Sequence, residues 1–170
     1  MDGRGIDQNR NKEEMTDRDF INRAIEIACR NASSADGGPF GAVIVKNGTV
    51  IAEAGNSVTS GNDPTAHAEI NAIRQACKAL NTFSLAGCTI YSSCEPCPMC
   101  LSAIYWSRMD RICYSSDRHD AALAGFDDET IYREIGTPQE KRMIRTERLL
   151  SAEGREPFRL WLENKDKTRY

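Results

Sequence analysis

Apolar residues return along this chain at two periods, and the change of period marks out its elements. From Thr16, which stands with Asp19 in the arrangement of a capping box, Phe20, Ile21, Ala24, Ile25 and Ala28 recur at helical spacing. The glycine-rich connection ASSADGGPFG (32–41) leads into the apolar run GAVIVK, and TVIAEAG continues beyond the turn signal KNG (46–48). That pattern predicts a β-hairpin over 41–55. After the polar loop NSVTSGNDP, Ala66, Ile70, Ile73, Cys77 and Leu80 mark one face of a second helix. CTIYSS (88–93) reads as a strand, followed by a helix over roughly 96–107 that Pro96 suits as a first-turn residue. RICYSS (111–116) predicts a fourth strand. The remainder is helical or mixed, and Phe158, Leu160, Trp161 and Leu162 predict a final amphipathic helix. Hairpin, helix, strand, helix, strand is the order of a layered α/β domain with a mixed sheet.

Residues 1–15 lack this periodicity and are expected to form a disordered tail, which leaves 16–170 as one domain. A chain of 170 residues is long enough to bury one core without staples. No apolar run approaches a membrane span and the opening residues are too polar for a signal peptide, so a soluble, cytoplasmic protein is expected. The 7 cysteines are an odd count, three of them crowded together, which does not read as a secreted disulfide framework. A net charge of −3 carries no basic footprint, so neither a nucleic-acid nor a membrane partner is expected.

The crowded cysteines are Cys94, Cys97 and Cys100, in SSCEPCPMC. Cys97 and Cys100 stand three apart at a helix start, on one face, where the positive end of the helix dipole favours thiolates. His67, in TAHAE, begins the preceding helix. A ferredoxin-type cluster would need a further cysteine where Ile104 stands. Two zinc sets remain open. All three cysteines with His67 make a closed, structural site, whereas His67, Cys97 and Cys100 alone leave a position for water. Cys94 precedes Pro96 at a strand end and need not share the helix face, which favours the open set. Glu69 is the natural proton acceptor beside such a site and Glu95 its rival, although positions i and i+2 of a regular helix do not face each other.

Several of these residues also have plain structural readings. Cys29, Cys77, Cys88 and Cys113 fall on apolar stripes, Asn56 suits a turn, and Phe40 and Trp106 suit a core. Asp127 and Asp128 suit a helix N-terminus, His119 a loop, and Arg74, Arg108, Arg111 and Arg118 a charged surface.

HAE about 30 residues before PCPMC, at the starts of successive helices, is the H-x-E…P-C-x-x-C signature of zinc-dependent nucleobase deaminases. With GGPFGAVIVKNG, NDPTAHAEINAIR, SCEPCPMCLSAIYWSR and AGFDDETIY, the chain from about Met15 to Tyr170 resembles the cytidine deaminase-like superfamily. GGPFG together with GFDD makes it similar to the small bacterial guanine deaminases within that superfamily. The resemblance implies a three-layer α/β/α fold with a central mixed five-stranded sheet. It implies one Zn²⁺ per subunit on His67, Cys97 and Cys100, with Glu69 as proton shuttle. The implied reaction is hydrolytic deamination of guanine to xanthine and ammonia, by attack of zinc-activated water on C2 and protonation of N3. The Ala68 N–H and the Asn56 side chain would contact this small purine substrate, Phe40 and Trp106 would wall its faces, and Asp128, or else Asp127, would bind a purine N–H. A homodimer is implied too, with an exchanged C-terminal segment that places Tyr170 over the neighbour's site. Guanosine, cytosine or tRNA adenosine deamination are alternatives, as is a structural Cys3His zinc protein.

Overall fold

Residues 14–34 and 36–170 are described by the computed structural model, so the expected tail lies almost wholly outside the described residues. Helix α1 (Asp17–Ala32) starts where the capping box places it: the Thr16 N–H and hydroxyl both donate to Asp19 Oδ2, at 2.8 and 2.7 Å. Its face of Phe20, Ala24, Ile27 and Ala28 is buried. Strands β1 (Gly41–Lys46) and β2 (Thr49–Gly55) form the expected hairpin, turned by Asn47 and Gly48 with φ of 49° and 72°.

After a short α2 (Val58–Gly61) come α3 (Ala68–Leu80), β3 (Cys88–Cys94), α4 (Pro98–Trp106) and β4 (Arg111–Ser116). The sheet runs β2-β1-β3-β4, with β1 antiparallel to both neighbours and β3 parallel to β4. Successive residues of β1 feed opposite layers. Val43 and Val45 pack with Phe20, Ala24 and Ile27 of α1, whereas Ala42 and Ile44 pack with Ala68, Ala72 and Ala76 of α3 and Ile104 of α4. The result is the three-layer α/β/α arrangement that the resemblance implied.

Three details differ from expectation. The sheet has four strands among the described residues rather than five, because the chain beyond β4 turns into α5 (Arg118–Leu123) and α6 (Glu129–Gly136), and 145–150 make no ladder. Helix α4 begins at Pro98, not Pro96: Pro98 takes the first helical position, where a missing N–H costs nothing, and Cys97 becomes the N-cap. The predicted amphipathic helix forms as α7 (Glu156–Glu163), yet Phe158 and Leu162 on it remain 70% and 72% exposed. No helix among the described residues is long and apolar enough to cross a membrane.

The α1 layer lies very close to β1. A Cβ at Gly41 would meet the Ala24 carbonyl oxygen at 2.3 Å and the Ala28 nitrogen at 2.8 Å. Gly41→Ala is therefore expected to cost about 1–3 kcal/mol in urea unfolding of the zinc-loaded protein. Gly61→Ala, where an added Cβ meets nothing within 4 Å, is expected to stay within about 0.5 kcal/mol.

Candidate active site

The parallel strands β3 and β4 end together, Cys94 opposite Ser116. In open α/β sheets ligands collect beyond such carboxyl ends. Two helices begin there: His67 is the N-cap of α3 and Cys97 the N-cap of α4, both with extended backbones, and Cys100 is buried in the first turn of α4. His67 Nδ1 lies 3.6 Å from Cys97 Sγ and 3.5 Å from Cys100 Sγ. Tetrahedral zinc with Zn–N near 2.0–2.1 Å and Zn–S near 2.3 Å has an N···S edge of about 3.6 Å. The three side chains therefore fit that ion without rearrangement. Cys94 does not join them; its thiol donates to the Asp117 carbonyl at 3.5 Å. Of the two ligand sets left open by the spacing, the geometry assembles the three-ligand one.

The electrostatics suit a cation. Cys97 is lowered to about 4, first because the Cys100 thiol donates to it and then because His67 does, against the cost of burial. Cys100 is pushed up correspondingly by its hydrogen bond to the Cys97 sulfur, and His67 is raised by the same sulfur. A dication bound here would take two thiolates and a neutral imidazole, displacing the protons these three groups otherwise share.

Glu69 reaches the same place. Because His67 caps α3 from outside the helix (φ −67°, ψ 156°), the divergence of i and i+2 on a regular helix does not apply. Glu69 is only 6% exposed, and its Oε1 accepts from Ser92 Oγ at 3.3 Å. Burial lifts its carboxyl above the usual range, and the Cys97 thiolate adds to the shift.

His67, Glu69 and Cys97 line a cavity of about 350 Å³, within the range of small-molecule sites. Phe40 forms one wall, edge-on to Phe126 with ring centroids 4.9 Å apart. Asn56 is a turn residue as its plain reading suggested, but it lines the cavity as well. Its Oδ1 accepts from the Gly38 and Val58 N–H groups at 3.1 and 3.0 Å, so Nδ2 is the end left to a ligand. Ala68 opens α3, where first-turn N–H groups have no intrahelical acceptor. Asp127 and Asp128 both line the cavity but differ in what they hold. Asp127 Oδ1 accepts from the Glu129 N–H at 2.9 Å, whereas Asp128, the N-cap of α6, makes no side-chain cap bond and is raised by burial.

Trp106 and Tyr170 are not brought to this cavity. They lie against each other outside it, centroids 6.2 Å apart, with Phe83 at 6.5 Å from Tyr170. Conversely, Arg118 and Phe126 line the cavity although neither was singled out in the sequence as a site residue. Their position just past β4, at the same sheet end as the cysteines, was the available signal.

Comparison with known proteins agrees with this geometry. Residues 14–116 match the model of the cytidine and deoxycytidylate deaminase zinc-binding region. Guanine deaminase of Bacillus subtilis is 50% identical over 156 residues, 92% of this chain and 100% of the relative. The X-ray structure of guanine deaminase from Bacillus subtilis superposes with a TM-score of 0.90, at 50% identity over 92% of this chain and 99% of that one. A tRNA-specific adenosine deaminase of Aquifex aeolicus is 43% identical over 107 residues, 60% of this chain and 71% of that relative. Cys94→Ser is expected to keep about one zinc per chain by metal analysis and His67→Ala to lose it; loss from Cys94→Ser would restore the closed site. With more than half its length matching that region and the ligand set intact, the chain belongs to the cytidine and deoxycytidylate deaminase family, and zinc is the cofactor of its site.

Proposed function

We propose that this protein deaminates guanine hydrolytically, giving xanthine and ammonia. One observation carries the reading: a buried Glu69, with His67 and Cys97 of the zinc triad, lines a cavity that is also lined by residues beyond the family region, Arg118, Asp127 and Asp128. The similarity to guanine deaminase, covering 156 of 170 residues, necessarily takes in those three.

When bound, zinc supplies the Lewis acidity that brings the pKa of water from about 15.7 toward about 7–9. Glu69 takes the proton of the attacking water, delivers it to purine N3, and carries the second water proton to the departing amine. Water and guanine thus leave as xanthine and ammonia, with Glu69 returned to its starting form. A carboxyl raised by burial holds a proton between those transfers more readily than a solvated one. Asn56 Nδ2 and the Ala68 N–H orient the base, Phe40 covers one face, and Asp128 accepts from a purine N–H.

The reading extends to a homodimer in the cytoplasm. Within one chain α7 leaves Phe158 and Leu162 uncovered and Tyr170 lies outside the cavity, which supports exchange of the C-terminal segment with a second copy. The acidic balance supports a small base rather than RNA as substrate.

Zinc-loaded protein is expected to release ammonia from guanine with xanthine as product. Glu69→Gln is expected to keep fold and zinc while losing about 10²–10⁴-fold in kcat. Turnover of guanosine, cytosine or tRNA adenosine in place of guanine would overturn the assignment. Sedimentation is expected to give a dimer, and a fully active monomer would remove the exchanged segment.

A further inference from the structure

Arg118 resembles the chain's surface arginines by sequence, yet it is half-buried in the cavity wall. Three segments fix it there. Asp117 caps α5, accepting from the N–H groups of His119 and Asp120 at 2.9 and 3.0 Å. The Arg118 N–H donates to Glu95 Oε2 at 3.2 Å, in the segment after β3. Its guanidinium carbon lies 4.7 Å from the ring centroid of Tyr132 on α6, whose hydroxyl donates to the Pro96 carbonyl at 3.4 Å.

A guanidinium seated on a ring keeps its N–H donors around its edge. Among the described residues, Arg118 forms no ion pair, although Glu95, Asp127 and Asp128 line the same cavity, and its side-chain hydrogen bond to Tyr132 engages only part of the five-donor fork. Asp128 feels the guanidinium: the positive charge opposes the rise that burial imposes on its carboxyl. The lining of this cavity therefore offers both a carboxylate acceptor and a charged donor. Guanine offers the complement on one edge, an N1–H donor beside a C6 carbonyl acceptor. An edge of that kind is read strongly when the unmatched alternative leaves buried polar groups unpaired.

We propose that Arg118 is a specificity-determining residue that donates to the 6-oxo oxygen of the purine while Asp128 accepts from N1–H. This rests on the guanine reading of the site. It makes the enzyme selective for 6-oxo purines over bases that carry the same C2 amino group without that oxygen.

The test pairs two substrates with two variants. 2-Aminopurine keeps the reacting amino group and lacks both the C6 oxygen and the N1–H. Zinc-loaded wild type is expected to favour guanine over 2-aminopurine in kcat/KM. Arg118→Met is expected to lose about 10–100-fold on guanine while changing less than about threefold on 2-aminopurine. Arg118→Lys is expected to recover part of the guanine rate, since it restores charge without the planar fork. Equal losses on both substrates, or no loss on either, with zinc content and unfolding temperature unchanged, would overturn the proposal. Should wild type turn over neither base, the deaminase reading falls first and this inference with it.

Discussion

The closeness of α3 to the sheet is the constraint on which the site depends. Ala68, Ala72 and Ala76 are fully buried against Ala42, Ile44 and Ala52, and side chains this small let helix and strands approach closely. The N-terminus of α3 is thereby carried to the ends of β3 and β4. Asn71 locks it in place, its Nδ2 standing within 3.0–3.2 Å of the Gly55 carbonyl, Ser57 Oγ and the Ala66 carbonyl. Asn31 of α1 ties the facing loops in the same way, donating to the carbonyls of Gly38 and Asn56 at 2.6 and 2.8 Å. His67, Glu69 and Asn56 thus share one foundation of packing and amide hydrogen bonds.

The chemistry follows from what that foundation leaves unsatisfied. His67 and Cys97 occupy N-cap positions where Ser, Thr, Asp or Asn would serve a helix better, and neither makes a side-chain cap bond. Local helix stability is given up at two neighbouring termini in favour of metal ligands, which is where functional sites tend to break local rules. Both helix dipoles point their positive ends at the thiolates. Burial acts in the opposite sense on Glu69, lifting its carboxyl above the usual carboxylate range beside the metal site.

The layered fold, the hairpin, the capping box and the HAE–PCPMC constellation were legible because each rests on local spacing. The choice of His67, Cys97 and Cys100 over the closed set was legible only as a leaning, since it depends on Cys94 turning toward the Asp117 carbonyl, across to the chain beyond β4. Arg118 was read as surface because its contacts, Glu95 and Tyr132, come from other elements. The helix start at Pro98 was missed because Pro96 satisfies the same rule two residues earlier. Trp106 and Tyr170 came from resemblance alone, and the contacts within a single chain place them on each other, away from the cavity. The fifth strand has no counterpart in the local pattern, and beyond β4 the described chain offers helices and turns.

The site geometry specifies a zinc ion held by one imidazole and two thiolates, with its fourth position open beside Glu69. X-ray absorption at the zinc edge of the purified protein tests this most directly. Two sulfur scatterers near 2.3 Å, one imidazole nitrogen near 2.0–2.1 Å and one further light atom at about 2.0–2.2 Å are expected. Three sulfurs and one nitrogen would contradict that geometry, closing the site and returning Cys94 to the ligand set.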